Sequence, residues 1–222
     1  MPHGYACFGP PANVPPVGEL PALKSGRVTF GCFNNPAKYS PRMLRAWADI
    51  LRRIPNSQLQ LRYFGLDDRC LQDRLLGTFS AAGITSERVI FAGAASHFEM
   101  LAAYGQIDLA LDTQPYSGGL TTCEALWMGV PVITFPGQTF AGRHSTSHLV
   151  NSGLAQFVSR DQASYIDLAV AWVSRLDELS SLRAQMREQV RRSPLCNAEA
   201  FAKDFLDVMQ GAWQSRVDAL AR

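Results

Sequence analysis

Little in this sequence points to a strongly charged partner. Only 18% of its 222 residues are charged and the formal net charge is +2, so neither nucleic acid nor a membrane surface is expected as a partner. The 47% of hydrophobic residues are ample for a buried core. Lysine is scarce among the 21 basic residues, because only Lys24, Lys38 and Lys203 are present. Each of these three lysines is therefore a candidate for a specific role.

Cysteine pairs and long apolar runs are lacking as well. The five cysteines are odd in number and widely spaced without a CxxC pair, which predicts neither a disulfide framework nor a zinc site and favours a reducing cytoplasm. No apolar run reaches the length of a membrane span, and the first residues lack the pattern of a signal peptide. His144 and His148 have the helical spacing of two metal ligands, but no third ligand is near, so no metal site is predicted.

Proline and glycine dominate the first 26 residues. Six prolines in this stretch predict neither a regular helix nor a central strand, so residues 1–26 are expected to form a linker or extended arm. In residues 27–222, short β-branched or aromatic runs alternate with longer helical patterns. The predicted strands are 28–33, 58–63, 88–91, 107–111, 132–135 and 156–158.

Helix signals fall between these strands. Ser40 followed by Pro41 is typical of a helix start, and Ser96 with Glu99 forms a capping box. The predicted helices are 41–53, 67–82, 96–104, 121–128, 143–151 and 165–191, with a last amphipathic helix from residue 198. Strict alternation predicts an α/β fold, a doubly wound parallel sheet of Rossmann-like type followed by C-terminal helices. Ligands are expected outside the carboxyl ends of its strands, near the switch in strand order.

The most informative segment is DTQPYSGGLTTCEALWMG, which begins at residue 112 and joins a strand to a helix. Gly118 and Gly119 are expected to let the backbone approach a ligand, and Thr121 and Thr122 offer hydroxyls and free N–H groups at the positive end of the helix. Glu124 follows one turn later, within reach of a ribose. The spacing is neither GxGxxG nor GxxxxGK[ST], which argues against an oxidoreductase or an ATPase and favours a nucleotide-sugar site.

Lys38 lies in the loop GCFNNPAK, which follows the first predicted strand. Its ammonium is expected to project over the edge of the sheet, where it would neutralise a diphosphate leaving group without a metal. The alternative is an ordinary surface lysine. Asn34 and Asn35 in the same loop are typical turn formers.

Three stretches of the chain resemble a known family. FNNPAKYSP, DTQPYSGGLTTCEALWMGVPVITFPG and SPLCN look like the carboxyl-terminal lobe of the O-linked N-acetylglucosamine transferase and SPINDLY family of glycosyltransferases. The resemblance runs from about residue 28 to residue 213, and TTCEALWMGVP is its most specific part. It implies a GT-B architecture of two Rossmann-like lobes, of which this chain resembles only the second, the lobe that holds most of the nucleotide-sugar.

The resemblance also implies roles for individual residues. Lys38 would contact the donor diphosphate with Asn35 beside it, and Glu124 would accept hydrogen bonds from the ribose. The other implied contacts are the phosphate loop Gly119, Leu120 and Thr121, the base-side residues Ala95 and His97, and Tyr116 at the sugar.

This sequence departs from the animal-type members of that family. They have an aspartate at Glu124, a histidine at Met100, a cysteine at Tyr116 and His-Thr-Thr at Gly119-Leu120-Thr121. The base and the sugar are therefore left open. The DT-x-PY and TTCE pattern looks closer to the SPINDLY-like branch, some of whose members use a fucose donor. We therefore expect Tyr116 to influence which sugar is accepted.

The implied reaction is transfer of a sugar to Ser or Thr hydroxyls of an acceptor protein, with UDP-GlcNAc as the favoured donor and no metal or other cofactor. Family members place candidate catalytic histidines and much of the acceptor groove in the first lobe and in upstream tetratricopeptide repeats, and no such repeat appears here. The chain alone is therefore expected to be inactive, needing that lobe in cis or in trans. Alternatives are a non-catalytic nucleotide-sugar-binding module, a SPINDLY-like fucosyltransferase lobe and a nucleotide-sugar epimerase.

Overall fold

A five-stranded parallel sheet forms the centre of the computed structural model, which describes residues 1–221. The strands are β1 (Val28–Cys32), β2 (Ser57–Arg62), β3 (Val89–Ala92), β4 (Leu109–Leu111) and β5 (Val132–Ile133). Their order is β3-β2-β1-β4-β5, and every neighbouring pair is parallel. Strand order reverses between β1 and β4, and in such sheets this switch point opens a crevice at the carboxyl ends of the two strands.

Nine α-helices are present within the described residues. They are α1 (Pro21–Ser25), α2 (Pro41–Arg53), α3 (Arg69–Ala81), α4 (His97–Ala103), α5 (Leu120–Trp127), α6 (His144–Asn151), α7 (Gln162–Val173), α8 (Leu176–Arg191) and α9 (Ala198–Leu220). Two predicted helix starts are confirmed in detail. The Ser40 hydroxyl accepts a hydrogen bond from the Met43 amide, and Ser96 and Glu99 form the reciprocal capping box.

Burial of the sheet confirms the predicted fold class. All five residues of β1 are buried, so β1 is covered on both faces, as a parallel sheet requires. On the helical layers, α2 packs against α3 and α7, while α5 packs against α8. Phe30, Trp47 and Phe79 are completely buried in the core between these layers. The fold is therefore the predicted doubly wound α/β arrangement.

Two secondary-structure predictions are wrong. Residues 156–158 do not form a sixth strand, because Phe157 stacks on Trp172 at 4.4 Å within a short 3₁₀ turn and only a single bridge joins Thr134 to Val158. The helix predicted over 165–191 is two helices, α7 and α8. The Ser174 hydroxyl at the break donates to the Ala171 carbonyl, a local bond that competes with continuation of the helix.

The first 26 residues are also more ordered than expected. They include the helix α1, which starts at a proline and ends at Gly26 in the left-handed conformation, with φ of 67°. The expectation of no regular helix is therefore wrong for this stretch. Elsewhere the segment is irregular but packed, since Phe8 and Leu20 are buried and the Phe8 amide donates to the Leu195 carbonyl at 2.8 Å. Whether residues 1–26 lead to another lobe stays a prediction.

Two arginines of α8 hold this segment against the sheet. The guanidinium of Arg183 is buried and donates to the carbonyls of Gly18, Ile107 and Tyr104 at 2.9, 2.9 and 3.2 Å. Arg187 donates to the carbonyl of Pro15 at 2.8 Å. These bonds satisfy buried carbonyl groups, so the segment is an integral part of the fold.

The last helix differs from all the others. None of the 23 residues of α9 is buried, although Phe205, Met209 and Trp213 give it an apolar side. Among the described residues, no helix is both long and apolar enough to cross a membrane.

Candidate functional site

A cleft of about 780 Å³ lies at the switch point between β1 and β4. Its walls come from the loop after β1, the start of α4 and the loop between β4 and α5. The predicted site residues that line it are Asn35, Lys38, His97, Tyr116, Gly119, Leu120, Thr121 and Glu124. The sheet therefore brings together residues that are up to 89 positions apart in the chain, Asn35 and Glu124.

Lys38 is held in place at the edge of the cleft. It ends a 3₁₀ turn whose first amide is capped by the side chain of Asn35. The Lys38 ammonium donates to the Ser117 carbonyl at 3.0 Å and lies 3.8 Å from the centroid of the Tyr116 ring. Burial lowers the pKa of Lys38, and the carboxylate of Asp112 opposes that shift. Lys38 is thus a half-buried cation presented to the cleft.

The start of α5 contributes unpaired backbone donors. In the described part of the chain, the amides of Gly119, Leu120 and Thr121 have no hydrogen-bond partner, and no side chain caps this helix. Such a helix start attracts anions because free N–H groups and the helix dipole point outward together. The Thr121 hydroxyl donates to the Asn34 side-chain oxygen. Of the two predicted donors of Thr121, the hydroxyl and the backbone amide, only the amide is therefore free.

Asp112, at the end of β4, organises the loops behind the cleft. One of its carboxylate oxygens accepts from the Gly118 amide at 2.7 Å and from the Asn34 side chain at 3.1 Å. The other oxygen accepts from the Thr134 hydroxyl at 2.6 Å. Burial raises the pKa of Asp112, and these hydrogen bonds lower it. Asp112 therefore links the loops after β1, β4 and β5.

Gly118 and Thr122 are not among the described residues that line the cleft, so their direct contact with a ligand stays a prediction. The Gly118 amide is engaged by Asp112, and a Cβ on Gly118 would sit 2.4 Å from the Thr122 hydroxyl oxygen. The Thr122 hydroxyl is buried against that of Ser145 at 2.8 Å, and its amide bonds to the Gly119 carbonyl. The close approach at Gly118 is therefore to the protein itself.

Glu124 and His97 meet at the opposite side of the cleft. The His97 Nε2 lies 2.7 Å from the Glu124 Oε1, which joins the start of α4 to the second turn of α5. Burial raises the pKa of Glu124, and the contact with His97 lowers it. His97 engages only Oε1, and Oε2 of Glu124 has no hydrogen-bond partner among the described residues, so it is available as an acceptor for a ligand hydroxyl.

Ala95 and Cys123 do not contribute to the cleft wall. Ala95 lies just before α4 and is not among the described residues that line the cleft, so its predicted contact with a base stays a prediction. Cys123 lies in the first turn of α5, where a helix start could lower its pKa. Burial instead raises the pKa of the Cys123 thiol to about 12, in keeping with packing and not nucleophilic chemistry.

Several residues that line the cleft could not be identified from the sequence. Tyr5 and Phe140 both line the cleft, and the Tyr5 hydroxyl contacts the Nδ1 of His144, which was noted only as a possible metal ligand. Exposed aromatic residues within glycine-rich and proline-rich loops were the available signal, but the local pattern does not say which loops meet. Among residues 1–221, no three His, Cys, Asp or Glu side chains are grouped as a metal ion would need.

Comparison with known proteins places these observations in a family. The model of glycosyl transferase family 41 matches residues 19–205. The chain is 36% identical over 221 residues to a protein of Petunia hybrida named probable UDP-N-acetylglucosamine–peptide N-acetylglucosaminyltransferase SPINDLY. That match covers 98% of this chain and 24% of the relative, and the SPINDLY protein of Arabidopsis thaliana is equally similar at 36% identity, with 96% and 24% covered. The chain thus spans about a quarter of the length of these curated relatives.

A solved structure agrees with the sequence matches. A mutant O-GlcNAc transferase from Thermobaculum terrenum superposes with a TM-score of 0.83 at 37% identity, covering 93% of this chain and 39% of that one. The structural match therefore extends over nearly the whole described fold. The chain belongs to glycosyl transferase family 41 and corresponds to the carboxyl-terminal lobe of its GT-B fold.

Proposed function

We propose that this chain is the donor-binding lobe of a protein O-glycosyltransferase, which takes UDP-GlcNAc as donor and transfers its sugar to Ser or Thr hydroxyls. The observation that carries this proposal is the meeting of the Lys38 ammonium with the unpaired amides at the start of α5 in one cleft. The relatives named as peptide N-acetylglucosaminyltransferases support the choice of donor and acceptor. A first lobe and an acceptor protein complete the assembly, in cis or in trans.

Each part of the cleft has a role in this proposal. The diphosphate binds between Lys38 and the amides of Gly119, Leu120 and Thr121, while the free oxygen of Glu124 accepts from a ribose hydroxyl. Asn35 holds the turn that presents Lys38. His97 fixes the rotamer of Glu124 and borders the base, together with Met100.

The role of this lobe in the reaction is to stabilise the negative charge that develops on the leaving diphosphate. The acceptor hydroxyl oxygen forms a bond to the anomeric carbon as the bond from that carbon to the β-phosphate oxygen breaks. The electron pair leaves with the diphosphate, and the hydroxyl proton passes to a base of the first lobe or to the departing diphosphate. Lys38 and the α5 amides stabilise that growing negative charge from fixed positions, as preorganised donors do in an oxyanion hole. This supply of positive charge by the protein is the reason that we propose a reaction without a metal.

The five free cysteines favour a cytoplasmic protein.

Calorimetric titration of the 222-residue chain tests the proposal. We expect binding of UDP and UDP-GlcNAc, with NAD not bound, and an affinity for UDP that falls by about 30-fold in Lys38→Met because a charge-assisted contact is lost. Lys24→Met is the matched control, since Lys24 is exposed on α1. A tight preference for GDP and GDP-fucose would favour the fucosyltransferase alternative. Equal UDP binding by wild type and Lys38→Met would contradict the phosphate role.

A further inference from the structure

Three exposed aromatic side chains meet at one end of the cleft. Tyr5, Tyr116 and Phe140 are 41%, 48% and 66% exposed, and they surround the ring of His144. They come from three separate parts of the chain, which are the N-terminal segment, the loop after β4 and the loop after β5. Leaving this much aromatic surface in water costs free energy, so a shared ligand is the simplest reason for their convergence.

Contacts within this group fix its shape. The ring centroids of Tyr5 and Phe140 are 4.7 Å apart, and those of Phe140 and His144 are 4.8 Å apart, both at steep interplanar angles. The ring centroid of Tyr116 lies 5.7 Å from that of His144. The hydroxyl of Tyr5 bonds to the Nδ1 of His144, which ties the N-terminal segment to α6. We call Tyr5, Tyr116, Phe140 and His144 the aromatic wall.

The position of the aromatic wall relative to the other lining residues identifies its ligand. Glu124 and His97 mark the ribose and base end of the cleft, and Lys38 marks the diphosphate. Lys38 lies over the ring of Tyr116, so the aromatic wall begins where the diphosphate ends. In a nucleotide-sugar the group attached beyond the diphosphate is the sugar. The aromatic wall therefore faces the hexose, given the proposed diphosphate site.

The chemistry of the wall suits a pyranose ring. A hexose has an apolar face of C–H groups, which packs on the electron-rich faces of aromatic rings. Burial and the nearby Lys38 charge lower the pKa of His144, which favours the neutral ring. The Tyr5 hydroxyl engages Nδ1, so Nε2 is the ring nitrogen left to form a hydrogen bond with a sugar hydroxyl.

We propose that Tyr5, Phe140 and His144, together with Tyr116, form the subsite for the hexose of the nucleotide-sugar, and that the N-terminal segment supplies one of its walls. This inference rests on the proposed function, because it takes the diphosphate site as its reference point. It adds a role for the N-terminal residues, which the sequence alone predicts to be a linker or extended arm.

Paired titrations with UDP and UDP-GlcNAc isolate the sugar contribution. In Tyr5→Ala and Phe140→Ala we expect the affinity for UDP to stay within about twofold of wild type and that for UDP-GlcNAc to fall by about fivefold, the effect of one lost aromatic contact. Tyr5→Phe keeps the ring and is expected to lose about twofold or less. Phe205→Ala on α9 is the matched control, because Phe205 is a similarly exposed aromatic residue outside the cleft lining.

The two ligands separate failure of this inference from failure of the proposed function. If wild type binds neither UDP nor UDP-GlcNAc, the proposed function falls and the hexose subsite falls with it. If wild type binds both and the variants weaken them equally, or weaken neither, the hexose subsite alone is overturned. Thermal unfolding of each variant shows whether it is folded, and Phe140→Ala is expected to melt with wild type because its side chain is mostly exposed.

Discussion

The two ends of the cleft are built in different ways. At the phosphate end, formed by Lys38, Asn34, Asp112 and the start of α5, buried hydrogen bonds link three loops. At the proposed nucleoside end, formed by His97, Met100 and Glu124, one contact between His97 and Glu124 joins the walls. The His97 side chain is 59% exposed there, whereas Asp112 is 2% exposed.

This difference indicates how the site separates two tasks. Every nucleoside diphosphate sugar presents the same diphosphate, so a rigid phosphate end serves any of them. The base and the sugar vary, and apart from the buried Glu124 we expect them to meet exposed or half-buried side chains, whose replacement disturbs the core less. The departures from the animal-type sequences at Met100, Leu120 and Tyr116 fall at such positions, whereas the departure at Glu124 is buried. Substitutions at each end test whether the two ends are separable.

The largest effect is expected for Asp112→Ala at the phosphate end. It removes the acceptor of the Gly118 amide, the Asn34 side chain and the Thr134 hydroxyl, so the free energy of unfolding should fall by about 4 kcal/mol. Urea denaturation at pH 7 measures this change. Glu124→Ala is the control at the nucleoside end, with an expected loss of about 1 kcal/mol. Similar losses for both variants would remove the distinction between the ends.

Gly118→Ala and Gly119→Ala form a matched pair on adjacent residues. A Cβ on Gly118 would sit 2.4 Å from the Thr122 hydroxyl oxygen, while one on Gly119 meets nothing within 4 Å. We expect Gly118→Ala to lose about 2 kcal/mol of unfolding free energy and to bind UDP more weakly, because the loop that leads into α5 must shift. Gly119→Ala should stay within about 0.5 kcal/mol of wild type. Indistinguishable melting curves for the pair would show that the loop adapts.

The pH dependence of UDP binding probes the nucleoside end. Burial raises the pKa of Glu124, so this carboxylate takes up a proton at a higher pH than an exposed glutamate and then no longer offers both oxygens to the ribose. As pH falls below 7, UDP affinity should drop by up to about tenfold more in wild type than in Glu124→Gln. The raised pKa means that the folded state binds this proton more tightly than the unfolded state does. Protonation of Glu124 on acidification therefore does not lower the free energy of unfolding. Parallel pH profiles for the two proteins would refute the ribose contact.

The smallest effect is expected for the identity of the sugar. Tyr116→Cys places the animal-type residue next to the hexose and should change the ratio of affinities for UDP-GlcNAc and UDP-glucose by about threefold. Competition titrations against UDP measure that ratio. An unchanged ratio would leave donor choice to the first lobe and to the rest of the aromatic wall.

Local signals explain why much of the fold could be predicted from the sequence. The caps at Ser40 and Ser96 act on amides three residues away, so the residues that form each cap are visible together. The loop into α5 was recognisable for the same reason. Its neighbours in space were not, since Asn34 meets Asp112 across 78 positions and Tyr5 meets His144 across 139.

Strand order decides those long-range contacts, and alternation of helices and strands does not specify strand order. The sequence identifies Asp112 as the end of a strand. Its role in linking three loops, however, depends on β1, β4 and β5 being neighbours in the sheet. The break between α7 and α8 was missed because Ser174 and Arg175 are ordinary helix residues in an apolar stripe that continues past them.

The N-terminal segment, mostly exposed but anchored by the buried Phe8 and Leu20, has a practical consequence. The family 41 model begins at residue 19, downstream of Tyr5 and of Phe8, whose ring packs edge-on against Trp127 at 6.1 Å. A protein trimmed at residue 19 would expose Trp127 to solvent and is expected to aggregate during purification. Because the match to the Petunia hybrida relative covers 98% of this chain, expression boundaries are better taken from such relatives than from the start of the family model.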